Sequence, residues 1–175
     1  MVLNQIRSIS LRKIHFDKYA VVAICWISSL LIGSLVAAVF AVDSVSVRKL
    51  LVNSKTSILW LTISVLLPFL LSALSVCLGR GTALPWILFA NGFVFAYVSH
   101  CVFTMAGNAG WLLQPMLLFT QYCMAPFFCW FVIRHYEGNA GAIHRDLWVC
   151  AIAAILFSAA DCYFISPFLE RLLII

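Results

Sequence analysis

Residues 20–42, AVVAICWISSLLIGSLVAAVFAV, run for 23 residues without one charged side chain. An α-helix rises 1.5 Å per residue, so roughly 20 apolar residues cross the ~30 Å hydrocarbon layer of a bilayer. This run is too long for the h-region of a signal peptide, about 7–15 residues, and it follows a 19-residue basic leader. It is therefore read as a spanning helix. The remaining sequence must fit beside it.

Composition extends the same reading to the whole chain. Of 175 residues, 65% are hydrophobic and 10% charged, against about 45–50% and about 25% in soluble domains. A soluble chain of this size could not hide so much apolar surface. Four further apolar segments are found at 58–78, 82–105, 111–133 and 147–165. The expected fold class is thus all-α: a polytopic integral membrane bundle of about five transmembrane helices. Residues 1–19 form a basic cytoplasmic leader and 20–175 a single membrane domain. Val2, Ile6, Ile9 and Phe16 lie on one side of that leader, which suits a short surface helix, although Lys13 interrupts the apolar face.

The net charge of +5 does not point to nucleic acid. Four of the eleven basic residues, Arg7, Arg12, Lys13 and Lys18, precede the first apolar run, and most others sit in connectors. With the N-terminus inside, the inner connectors and leader hold seven Lys and Arg and the outer ones four. That bias places the N-terminus in the cytoplasm of a plasma (inner) membrane, against the pull of Arg48, Lys49 and Lys55. Trp60, Trp86, Trp111, Trp130 and Trp148 lie near segment ends, where amphipathic rings favour the headgroup level; only Trp26 lies deeper.

GRG at 79–81, AGNAG at 106–110 and EGNAG at 137–141 supply the backbone freedom of tight reversals. Segments two and three, and three and four, should form antiparallel hairpins. Pro68 and Pro126 are expected to kink their helices, whereas Pro115, near a helix start, is expected to be harmless.

Polar groups within apolar segments should face the bundle, because lipid gives them no partner. They are Asn91 and His100 on the third segment, Gln114 and Gln121 on the fourth, and Asp161 on the fifth. Gln114 and Gln121 are seven apart, hence on one helical face. His100, Gln114, Gln121 and Asp161 are the candidate ligand or proton site, with ordinary interhelical hydrogen bonds as the alternative. Ser29, Gly33, Ala37 and Ala41 repeat every fourth residue, as do Gly92 and Ala96, and Ala154 and Ser158. Such stripes let helices approach closely. The partner of each stripe, inside this chain or outside it, is left open.

The seven cysteines fall in or beside apolar segments, with no CxxC pair and no zinc spacing. They read as buried thiols. No phosphate loop, HExxH or GxSxG motif occurs, and the longest connector, 43–57, leaves no soluble domain to carry an active site. The reading is a non-catalytic membrane protein without metal or cofactor. Its partners are the lipid bilayer and other membrane proteins or further copies of itself. A small transporter, or the membrane subunit of one, is the competing reading.

The run SILWLTISVLLPFLLSALSVCLGRGTALPWILFANGFVFAYV, followed by AGNAGWLLQPMLLF, resembles the family of stage II sporulation protein M. The likeness lies in layout: a basic leader, a first span, a short outer loop, a tight hairpin into NGFVFAY, and a Gly-bearing turn before a Pro-containing helix. It covers roughly residues 20–135. The resemblance implies a multi-pass membrane protein that scaffolds a peptidoglycan-remodelling complex during engulfment, and brings no catalytic residues.

Overall fold

The computed structural model describes residues 17–40, 57–137 and 140–173. Residues 1–16 of the leader with the expected surface helix, Ala41 of the first stripe, and the basic residues of 43–55 lie outside these, whereas Lys18 and Tyr19 already belong to the first helix. Every regular element is helical, with no strand among the described residues. The helices are α1 (Lys18–Val39), α2 (Ile58–Cys77), α3 (Leu84–Ala106), α4 (Gly110–Leu117), α5 (Phe119–His135), α6 (Ile143–Ala160) and α7 (Ser166–Leu173). A π-helical turn, Asp161–Ile165, joins the last two. Four stretches are long and apolar enough to cross a membrane: α1, α2, Gly81–Thr104 and Ile143–Leu169; α4 and α5 together supply a fifth if counted as one bent span.

Local chemistry sets the helix ends. Ser57 caps α2 by accepting a bond from the backbone N–H of Trp60, and Asp17 caps α1 through Tyr19. At its other end α2 closes with a glycine in the left-handed region, Gly79 at φ 70°. The Gly79 N–H donates to the Val76 carbonyl and the Arg80 N–H to that of Ser75. This is a Schellman closure, which satisfies two carbonyls the helix would leave bare. The Ser75 hydroxyl adds a 2.7 Å bond to the Arg80 carbonyl. Reversal into α3 follows at once.

Two packing zones make up the bundle. In the first, α1 lies on α3. Ser29, Gly33 and Ala37 are buried on α1, opposite Gly92 and Ala96 on α3. A Cβ added at Gly33 would come 2.5 Å from the Phe93 carbonyl oxygen and 2.9 Å from the Ala96 Cβ. The backbones meet there because neither residue carries bulk. The second zone joins α2, α5 and α6. Phe69, Phe128 and Phe131 fill it edge to face, with Phe69 to Phe128 centroids 4.9 Å apart.

The fourth segment is not one straight helix. It bends by 59° between α4 and α5, at Leu118 (φ −111°, ψ 22°). The break falls three residues after Pro115, the proline expected to be harmless, and α5 runs through Pro126 without interruption. Pro115 lies inside α4, where its missing N–H removes a bond to the Trp111 carbonyl. The fifth segment is also longer than its apolar run. It begins at Ile143, so His144, Arg145 and Asp146 belong to a helix rather than to a connector.

Candidate functional site: polar groups inside the bundle

Three polar groupings lie among the helices, and α5 contributes to each. The first follows from the bend. Gln114 on α4 donates from Nε2 to the Ser99 hydroxyl of α3, and also to the Tyr122 hydroxyl of α5 at 2.8 Å. Gln114 and Tyr122 are eight residues apart, about 12 Å of rise along a straight helix. Their bond closes across the break.

The second is Asp161, at the start of the π turn and 8% exposed. Thr120 on α5 donates its hydroxyl to Asp161 Oδ2 at 2.7 Å, with the Phe157 carbonyl at 3.4 Å as a weaker acceptor. A threonine hydroxyl has one proton to give, so the shorter contact takes it. A π turn widens the helix by one residue, a distortion frequent at functional sites. Here it turns a carboxylate inward between α5 and α6. No cationic side chain pairs with Asp161 among the described residues.

A cavity of about 60 Å³ forms the third grouping. It is bordered by Trp26, Ser64, Pro68, Asn91, Gln121 and Phe128, among others, and so touches α1, α2, α3 and α5. Pro68 has no N–H to give the Ser64 carbonyl, which leaves that oxygen without its helical partner beside the cavity. The Asn91 and Gln121 amides make no hydrogen bond to another described residue. At roughly 10–15 Å³ of such volume per water, there is space for a few waters to serve these groups.

The four candidate residues named from sequence do not converge. Gln114 turns to Ser99, Gln121 to the cavity and Asp161 to Thr120. His100 is half-buried, and its ring makes no hydrogen bond to another described residue, while its backbone carbonyl accepts from Thr104. No bond joins it to Asp161. The break at Leu118 separates Gln114 from Gln121, which an unbroken helix would have placed on one face.

Sequence reasoning missed a further cluster at the end of the bundle where α5 meets α6. Asp146 is 1% exposed. Its Oδ2 binds Arg134 Nε at 2.8 Å and His135 Nε2 at 3.1 Å, and Arg145 Nε lies 3.5 Å from Oδ1. Breaking a buried pair costs far more than a surface one, so Asp146 is a clamp between the two helices. The signal was present: Arg134 and His135 occupy the last turn of α5 and Asp146 the first turn of α6, each favourable to the helix dipole. All seven cysteines are free thiols spread over the helices, and no cluster of His, Cys, Asp or Glu among the described residues has the makings of a metal site.

Compared with family models, curated proteins and solved structures, the chain matches none.

Proposed function

We propose that this chain is a polytopic integral membrane protein of five spans and that it works without catalysis, as a scaffold or subunit of a membrane complex. One observation carries the membrane part. In the four straight candidate spans only 22–33% of the apolar window is buried within the bundle. Leu31, Leu35, Leu59, Leu74, Ile152 and Leu156 all point outward and are more than half exposed. A contiguous apolar surface on this scale is incompatible with water and suits acyl chains. Trp86, Trp130 and Trp148 lie near one end of the bundle, Trp60 and Trp111 near the other, as two interfacial belts require. Lys18, Arg80, Arg134 and Arg145 share the first of these ends, which supports a cytoplasmic N-terminus in a plasma membrane.

The scaffold part is supported by the dispersal of the described polar groups: Gln114, Asp161 and the Asn91–Gln121 cavity face different neighbours rather than one reactive centre. The narrower role implied by the likeness to stage II sporulation protein M, at a cell-wall-remodelling complex, rests on the layout of residues 20–135. Transport is the second reading, favoured by the cavity at Asn91 and Gln121 beside the Pro68-freed carbonyl.

Alkaline extraction of membranes followed by purification in mild detergent tests both parts. The chain should stay with the membranes and bring a partner protein or a second copy with it. A folded, detergent-free species in the supernatant defeats the membrane assignment; a lone monomer in detergent defeats the scaffold. Asn91→Ala and Gln121→Ala should leave partner recovery unchanged, whereas transport predicts lost flux or ligand binding in the same variants.

A further inference from the structure

An open groove of about 550 Å³ runs between the start of α1 and the last turns of α5. Its rim carries two cations, Lys18 and Arg134, and below them its wall is Pro126, Cys129, Trp130 and Ile133, with Tyr19 at the side. From Pro126 to Arg134 the wall covers about 12 Å of helix rise. Charge thus sits at one end only and the rest is apolar, the distribution of an amphiphile in reverse.

Arg134 is held ready for a ligand. Its Nε is bound to the buried Asp146, and its guanidinium carbon lies 5.3 Å from the centre of the Trp130 ring. Both contacts fix the plane, while neither terminal nitrogen bonds another described residue. Those two nitrogens form the fork that matches a phosphate. Among the described residues the one ion partner of Lys18 is Glu137, at 3.5 Å, and Glu137 is 75% exposed. A pair so open to solvent contributes little, so a phosphate could compete for the ammonium group. The other acids near this end are committed: Asp17 caps α1 and Asp146 is buried in its clamp.

We propose that this groove binds an anionic phospholipid, its phosphate between Lys18 and Arg134 and one acyl chain along Pro126, Cys129, Trp130 and Ile133. The proposal rests on the membrane assignment above. Basic pockets between spanning helices at the cytoplasmic face hold acidic headgroups by this chemistry. The lipid would seal α1 against α5, two helices with few direct contacts along this flank.

The test is native mass spectrometry of the detergent-purified chain, titrated with phosphatidylglycerol and phosphatidylcholine of identical acyl chains. The wild type should retain phosphatidylglycerol preferentially. Lys18→Gln should lower that preference about five-fold, one cation's worth at a membrane surface, while Lys18→Arg keeps it. Arg80→Gln removes a cation at the same end but outside the groove and should have little effect. Cys129→Trp fills the groove without touching a charge and should abolish retention. Equal retention of the two lipids, or equal effects of Lys18→Gln and Arg80→Gln, overturns the proposal. A chain that needs detergent yet shows no lipid preference defeats the groove alone; a chain soluble without detergent defeats the membrane assignment first.

Discussion

The α1–α3 seam and the α2–α5–α6 core solve the same packing problem in opposite ways. The seam is built from absence: Ser29, Gly33, Gly92 and Ala96 let two backbones touch. The core is built from bulk, with Phe69, Phe128 and Phe131 meeting at ring edges around Cys150 and Ala154. A seam of small residues tolerates nothing added; a core of rings tolerates nothing removed. Each zone therefore has a substitution that harms it and leaves the other intact.

Phe128→Ala should have the largest effect, about 3–5 kcal/mol, because the ring is 1% exposed and its neighbours cannot close the void. Unfolding in a detergent–denaturant titration measures it, and a loss under 1 kcal/mol would mean the core collapses freely. Next comes Gly33→Ile, at about 1–3 kcal/mol, since its side chain would meet the Phe93 carbonyl rather than a movable group. Gly92→Ala sharpens the contrast. Its Cβ would overlap the Ser29 hydroxyl, so Ser29→Gly should restore part of the lost stability; independent, additive losses would show that the two residues do not face each other. The smallest effect expected is that of Asp146→Asn, about 1 kcal/mol, because the amide keeps an acceptor for Arg134. It lies below the ~3–5 kcal/mol of a fully buried pair because Arg134 and Arg145 reach solvent. Its midpoint should also become less sensitive to salt.

Much of the helical layout was legible. The uncharged run at 20–42 and the helix Lys18–Val39 nearly coincide, as do 58–78 and Ile58–Cys77, because long apolar runs and glycine turns are local signals. The four-residue spacing of Ser29, Gly33 and Ala37 was equally visible. Its partner was not, since periodicity marks a face without saying what lies against it. Charge misled at Asp146. A carboxylate near a turn reads as a connector until its counter-ions, eleven and twelve residues back, are seen to reach it. The bend at Leu118 was hidden for a related reason: it combines a proline three residues earlier with a Gln114–Tyr122 bond that only tertiary structure reveals. His100 and Asp161 were singled out as polar residues in apolar runs, a criterion blind to direction, and they turn to different neighbours.

The pairing of α1 with α3, rather than with its chain neighbour α2, sets a schedule for biogenesis. Ser29 leaves the ribosome 63 residues ahead of Gly92. At about 5–20 residues per second, the first helix waits roughly 3–13 s for the surface that accommodates it. During that interval its glycine-bearing face is uncovered, so the newborn chain is most vulnerable to mispairing just before its third helix is delivered.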